Sequence, residues 1–370
     1  MSALHTLAPP GSDAVPGGAV AGAGLQVTQL ASDDPEGAAE WDRFVGESLD
    51  GTQYHLTAWR TIFAEVFGHE SYYLWVRDGR GGVRGILPLV RQRSRLFGDY
   101  MVSIPVMNYG GPCALDEAAE ASLVAAATEL ARELGVAHVE LRASREHALG
   151  LPVRTDKVSM RLDLPENTDQ LWSAIGPKLR AQVRRPQKEG AEFLAGGAEL
   201  IPEFYTVFSR NMRDLGTPVY SRKLFERVFA SFPRQTTLAI VRLAGRPVAA
   251  GFLLGHKGLM EIPWASSLRE YNRVSVNMLL YWGALEHSIT QGYTSFDFGR
   301  SSVDSGTYRF KKQWGAQPRP LFWYYWLKDG TSLPGLTPNN PKYQLAIRAW
   351  QRLPVPVANW LGPKIVRGLP

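Results

Sequence analysis

The sequence predicts an α+β (mixed α/β) chain in which one unit is used twice, each copy a mixed, mostly antiparallel sheet flanked by helices. Three observations predict this. The element order hairpin, strand, helix, strand runs through both halves. Landmarks recur at near-constant spacing: Val76-Arg77 and Val241-Arg242 stand 165 residues apart, and Gly135 and Gly292, each ending a helical pattern, stand 157 apart. At 370 residues and 45% hydrophobic content, the chain is long enough for two domains with sizeable cores.

Each element follows from its local pattern. In the first half, helical patterns cover 41–47 and 57–67. Residues 72–77 (YYLWVR) alternate as a strand, 78–82 turn, and 83–90 (VRGILPLV) form the partner strand. A strand over 100–106 leads into the turn Asn108-Tyr109-Gly110-Gly111-Pro112. A helix over 116–134 stops at Gly135, and a strand covers 137–141. The second half repeats the order. Helices cover 168–188 and 201–232, strands 237–242 and 247–254 flank a turn at 243–246, and a third strand covers 259–266. A helix over 274–291 stops at Gly292, and 294–298 is a strand. This organisation implies a first domain over 25–164 and a second over 165–330. Before them lies an Ala/Gly/Pro-rich leader at 1–24, expected to be disordered, and after them a basic amphipathic tail at 331–370.

Composition narrows the function classes. One cysteine, Cys113, allows no internal disulfide and points to a reducing, cytoplasmic setting. No apolar run reaches the eighteen or so residues of a membrane span. The leader has no Lys or Arg and is broken by Pro9, Pro10 and Pro16, unlike a signal peptide. The histidines show no metal-ligand spacing, so no metal site is expected. Neither a Gly-x-Ser-x-Gly elbow nor a P-loop is present. The net charge of +6 permits anionic partners.

Four segments could carry chemistry. Residues 176–190 (GPKLRAQVRRPQKEG) place Arg180, Arg184 and Lys188 along one helix face, with Lys178 and Arg185 beside them. Trp172, Ile175, Leu179 and Val183 form the opposing apolar stripe. Two readings stand: a cationic rim for substrate phosphates, or a solvated basic face. Pro186 should kink or end this helix. In the strand 259–266, Glu261 and Trp264 either face a cleft, where Glu261 could take a proton from an attacking amine, or belong to an ordinary exposed strand, which the residue type favours. The loop 267–273 has no glycine but carries Arg269 and Arg273; Asn277 follows at the helix start, where local capping is its first reading. Residues 292–315 then join Asp297 and Arg300 to Gly306 and to Tyr308-Arg309-Phe310-Lys311-Lys312. If that cationic run is a strand, Lys311 and Lys312 face opposite ways.

Two halves of this kind suggest the GNAT-type acyltransferase fold in tandem. There, neighbouring strands part near mid-sheet and the gap receives an acyl donor. Particular residues sharpen the likeness: Lys178-x-Arg180-x-x-x-Arg184 with Gly190, the helix 277–292, Phe296-Asp297-Phe298-Gly299-Arg300, and Gly306-x-x-x-Phe310-Lys311-x-x-x-Gly315. Over residues 25–330 the chain resembles the FemAB-like aminoacyl and peptidyl transferases, in particular the subgroup associated with PEP-CTERM/exosortase exopolysaccharide systems. The resemblance implies that Lys311 lies at the transfer site, that Asp297 is the acid closing the strand after the long helix, and that Lys178 and Arg184 belong to the cationic helix.

The implied activity is transfer of an activated acyl or aminoacyl group to an amine or hydroxyl of a cell-envelope or exopolysaccharide-related acceptor, such as a nucleotide- or lipid-linked glycan. No tightly bound cofactor is implied; the co-substrate is an acyl donor, aminoacyl-tRNA or acyl-CoA. Lys311 is expected to stabilise the oxyanion or hold an acceptor phosphate, with Lys312 as its substitute. Asp297 is expected to orient a lysine or a loop amide. Arg180, Trp264, Arg269, Arg273, Asn277, Arg300 and Tyr308 complete the expected substrate- and donor-binding set. Two other classes fit the same features: an acyl-CoA-dependent glycan N- or O-acyltransferase, and a non-catalytic binder of an anionic glycan or nucleic acid. The tail (339–370) mixes Leu345, Trp350 and Trp360 with five basic residues and no acid. It reads as a helix packed on the second domain or as a peripheral contact with the inner membrane face.

Overall fold

The computed structural model describes residues 24–94, 97–330, 333 and 341–369, with side chains from 344 onward in the last stretch. The expected leader lies outside the described residues apart from Gly24. The chain forms two sheets. In the first half the strands are β1 (Gln26–Gln29), β2 (Glu70–Arg77), β3 (Val83–Ser94), β4 (Gly98–Val102), β5 (Cys113–Ala114), β6 (His138–Ala143) and β7 (Val153–Arg154). Then come β8 (Lys157–Asp163), β9 (Ala191–Gly196), β10 (Thr236–Leu243), β11 (Arg246–His256), β12 (Leu259–Ser267), β13 (Ser295–Ser302), β14 (Gln317–Pro320) and β15 (Phe322–Leu327). The main helices are α1 (Pro35–Glu47), α2 (Ala58–Phe67), α3 (Glu117–Glu133), α4 (Thr168–Ala174), α5 (Pro177–Lys188), α6 (Ile201–Leu215), α7 (Arg222–Ser231), α8 (Val276–Thr290), α9 (Gly306–Lys312), α10 (Pro341–Gln351) and α11 (Val355–Val366).

The two sheets share one plan. The first runs β1-β2-β3-β4-β6-β15-β7, with β5 alongside β3; the second, read from its other edge, runs β9-β10-β11-β12-β13-β8-β14. In each, a helix (α3 or α8) crosses between two parallel strands, β4 with β6 and β12 with β13, and every other pairing is antiparallel. The repeated order read from the sequence is therefore a repeated topology. One feature breaks the sequential division. The strand β8 lies before position 164 yet pairs with β13 in the second sheet, while β15 lies after 165 yet pairs with β6 in the first. The halves exchange a strand across both ends of the expected second domain.

Local chemistry sets the element ends. Asp34 caps α1 by accepting from Gly37 N at 2.8 Å, with Pro35 in the first turn, and Asp116 caps α3 through Ala119 N at 2.8 Å. The helix α8 gives way to Gly292 at φ +79°, a left-handed conformation that costs other residues energy. Three expectations are corrected here. The helix expected over 168–188 is two, α4 and α5, because Ile175 is extended and Pro177 starts a new helix. Pro186 sits in the last turn of α5 and the helix runs on only to Lys188. The helical stretch 201–232 is divided after Leu215 by Gly216 at φ +79°.

A continuous core joins the halves. Tyr54, Trp59, Ile62 and Phe63 of the first half pack with Phe204, Phe225, Phe252 and Trp264 of the second. Lys257 adds a polar tie, donating to the carbonyls of Val45 and, at 2.7 Å, Ser48 at the end of α1. The tail helices α10 and α11 pack on α6, burying Trp350, Ala358 and Val366. Gln92 Nε2 donates to Leu369 O at 3.1 Å, so the tail returns to the first sheet. Leu345 and Trp360 stay 72% and 64% exposed. No helix among the described residues is long and apolar enough to cross a membrane.

The exchange predicts that neither half folds alone. A fragment ending at residue 156 lacks β15 and leaves the β6 edge unpaired. We expect the full chain to melt in one calorimetric transition and the fragment to show no cooperative melt. Two separable transitions in the full chain, or a cooperatively folding fragment, would show independent halves.

Candidate active site

The parallel pair β12/β13 is short. Its register is Leu259 opposite Ser295, Met260 opposite Phe296 and Glu261 opposite Asp297, after which the two strands run on without pairing, to Ser267 and Ser302. A gap therefore opens in the second sheet directly past two carboxylates. The irregularity is built at Gly299, which has φ +78° and interrupts the ladder to β8 between Asp297 and Arg300.

In the first sheet, β4 and β6 begin the same way, with Met101 opposite Val139 and Val102 opposite Glu140. Here the corresponding gap is plugged. Ser103 N donates to Glu140 O at 2.9 Å. Arg142, buried, donates to Glu140 Oε1 at 2.6 Å and to Met107 O at 2.7 Å, while its own carbonyl accepts from Gly110 N and Gly111 N. By register, Glu140 corresponds to Asp297, so Arg142 corresponds to Gly299. The side chain that closes one gap is a hydrogen in the other. A Cβ placed on Gly299 would find its nearest neighbours at 3.9–4.0 Å: Ile262 O, Asn108 Nδ2 and Lys311 Nζ.

Glu261 and Asp297 lie side by side at the floor of the second gap, both buried. The exposed strand position favoured for Glu261 on residue type is thus corrected: the first half covers it. Tyr54 and Tyr109 donate their hydroxyls to the same oxygen, Glu261 Oε2, at 2.5 and 2.9 Å. Glu261 Oε1 is buried with no hydrogen-bond partner among the described residues. Asp297 accepts from Ser159 Oγ at 2.5 Å, from Gly299 N at 2.7 Å, and at 3.4 Å from both Arg161 Nε and Tyr109 Oη. Burial, reinforced by the Asp297 charge, pushes the Glu261 carboxyl up to about 7. Burial, reinforced by the Glu261 charge, holds the Tyr54 and Tyr109 hydroxyls well above their ordinary range, so both remain donors.

Lys311 completes the cluster. The helix α9 is capped by Ser305, whose Oγ accepts from Tyr308 N at 3.1 Å, and points Lys311 inward. Lys311 Nζ donates to Gly299 O at 2.8 Å and Arg300 O at 3.0 Å, and burial lowers its pKa to about 8. Reading 308–312 as a strand is corrected: the segment is helical. Lys312 turns outward to a groove of about 410 Å³ shared with Leu162, Ile175 and Trp314, where the start of β13 meets the end of β8.

Of the expected site residues, the structure brings together Glu261, Asp297, Lys311 and the backbone of Arg300. Arg269 and Arg273 are exposed in the short turn before α8, and Asn277 is half-buried one residue into that helix. Trp264 packs against Phe225 and Phe252, with ring centres 5.1 and 5.4 Å away, as part of the core. Tyr308 is buried in the core that contains α8. The cationic helix α5 packs on α8 through Leu179 and Val183, on the face of the sheet away from Glu261. On it, Arg180 turns back to the carbonyls of Trp172 and Ile175, Arg184 stacks over Trp172, and Lys178 is exposed. Sequence reasoning missed Tyr54, Tyr109, Ser159 and Arg161. The one available signal was the turn Asn108-Tyr109-Gly110-Gly111-Pro112, whose glycines mark a close backbone approach; Gly111 lies against Arg142 O.

Residues 177–312 match the family model described as acetyltransferase (GNAT) domain. No curated protein matches the sequence. Solved structures share the architecture. FemX is 15% identical, covering 87% of this chain and all of its own, with a TM-score of 0.63. L-PGS from Bacillus licheniformis is 14% identical, covering 86% of this chain and 98% of its own, at 0.54. A tandem GNAT protein from the clavulanic acid biosynthesis pathway is 13% identical, covering 84% of this chain and all of its own, at 0.52. The chain thus has a tandem GNAT-like fold, and its second half carries a GNAT-type acyltransferase domain.

Proposed function

We propose that this protein transfers an activated acyl or aminoacyl group from a donor lying in the β12/β13 gap to an amine or hydroxyl acceptor approaching from the first half. The acceptor class is a cell-envelope or exopolysaccharide-related glycan, nucleotide- or lipid-linked, as in the FemAB-like proteins the sequence resembles. One observation carries the reading: a carboxylate with a free oxygen and a lysine ammonium meet where the two strands part.

The chemistry follows from those groups. The acceptor nitrogen or oxygen attacks the donor's carbonyl carbon, and its proton passes to Glu261 Oε1. With a pKa near 7, that carboxylate accepts a proton at neutral pH and can return it. Two Lys311 hydrogens are held by carbonyls, which leaves a third for the tetrahedral oxyanion. The intermediate collapses, breaks the carbonyl–donor bond, and the leaving thiolate or alkoxide takes the proton from Glu261. Asp297 fixes Gly299 N, and so the carbonyl run that holds Lys311.

Purified full-length protein incubated with acetyl-CoA or with aminoacyl-tRNA, each with an amine acceptor, should release free thiol or free tRNA in a donor-dependent way. Lys311→Ala should melt like the native chain and lose about 10²–10³-fold in turnover; retained turnover removes Lys311 from the mechanism. Glu261 supplies a pH test that needs no substrate. Its carboxyl rises from 4.5 to about 7 on folding, so between those values the folded state binds a proton that the unfolded state releases. Stability therefore falls as pH rises through that window. In urea denaturation, Glu261→Gln should flatten this slope; parallel curves for the two proteins would refute a buried titrating carboxylate. At the tail, Lys364 sits 3.5 Å over the exposed Trp360 ring, and Leu345 is exposed. Anionic vesicles should carry the native protein in flotation more than a Leu345→Gln/Trp360→Ser variant; equal flotation leaves the tail with packing alone.

A further inference from the structure

Arg300 is the first residue past the Gly299 turn, and its side chain is exposed. Its guanidinium carbon lies 4.8 Å from the centre of the Trp323 indole, while that of Arg142 lies 4.5 Å from the same ring. Trp323 is held in place by its Nε1, which donates to Asn108 O at 3.2 Å. Two guanidiniums on one indole need counter-ions. Glu140 serves Arg142 at 2.6 Å, and the other carboxylate that acts on Arg300, Asp156, pairs with Lys157 at 2.8 Å. Arg300 has no ion-pair partner among the described residues. It is a cation seated over an indole, with no side-chain hydrogen-bond or ion-pair partner among the described residues, and a guanidinium suits two-point binding of an oxyanion. Its position gives this meaning: Lys311 bonds its carbonyl, so the cation stands one residue from the transfer point. It also lies on the first-half side of the gap, against β15 of the first sheet, whereas Arg269 and Arg273 lie beyond the other strand, in the turn that leads to α8.

We propose that Arg300 and Trp323 form an acceptor subsite for a phosphate or carboxylate group, so that the acceptor is an anionic molecule tethered beside its nucleophile. This rests on the transfer reading above for the words acceptor and nucleophile; the anion site itself does not. The test is calorimetric titration of the full-length protein with sodium pyrophosphate, with citrate as the carboxylate probe and with CoA. Pyrophosphate or citrate should bind about tenfold or more weakly to Arg300→Gln, with partial recovery in Arg300→Lys, which keeps the charge but not the planar stack. Arg185→Gln, an exposed cation on α5, should bind like the native chain and so report background attraction. Equal binding of both anions to the native protein and Arg300→Gln overturns the subsite. A loss of CoA affinity matching the loss for pyrophosphate overturns its assignment to the acceptor. If the native protein releases neither thiol nor tRNA from its donors while Arg300 still governs anion binding, the transfer reading falls and the subsite stands.

Discussion

One oxygen atom, Glu261 Oε2, joins the two halves chemically. A carboxylate buried this deeply in the second sheet has lost its water, and the loss is severe unless hydrogen bonds replace it. Both replacements, the Tyr54 and Tyr109 hydroxyls, come from the first half. The parallel register that sets Asp297 beside Glu261 helps burial raise the proton affinity of Glu261, and the tyrosines set which oxygen remains free. Interface and buried carboxylate are one construction, so the first half is part of the candidate site.

Different residues at matched positions of the repeated topology explain why one gap is filled and the other open. Glu140 and Asp297 occupy the same place in their sheets, and two residues on stand Arg142 and Gly299. Arginine supplies its own plug: it neutralises Glu140 and gathers the 103–111 loop around it. Glycine removes the side chain and adopts a conformation that arginine would adopt only under strain. It also frees a backbone N–H for Asp297 and a carbonyl for Lys311. The same scaffold is thus made solid in one copy and receptive in the other.

The elements legible in the sequence were those with strong local signals. The hairpins over 72–90 and 237–254 alternate clearly, and Gly135 and Gly292 end their helices as their residue type requires. Asp297 and Lys311 stood out as charges flanking a glycine-bearing loop. What escaped depends on partners far along the chain. The strand KVSMRLD (β8) reads like any half-buried strand, and nothing local says that its ladder is β13 rather than β6. Tyr54 and Tyr109 look like core aromatics until the fold brings Glu261, 207 and 152 residues away, to their hydroxyls. Lys311 was placed near the chemistry but on the wrong kind of element. The run Tyr308-Arg309-Phe310 has strand-like residues, and the Ser305 cap that starts the helix decides otherwise.

The crossed positions of β8 and β15 also limit how this molecule can move. A clamshell enzyme opens by rotating one lobe about a flexible linker. Here the chain passes between the two sheets twice, just before β8 and just before β15, and a shared core and the tyrosine–Glu261 hydrogen bonds span them, so a wide rotation would have to break that core. Reactants must come and go by the shifting of surface loops and side chains around a rigid frame. Breathing of the whole molecule should therefore be slow compared with such local motions.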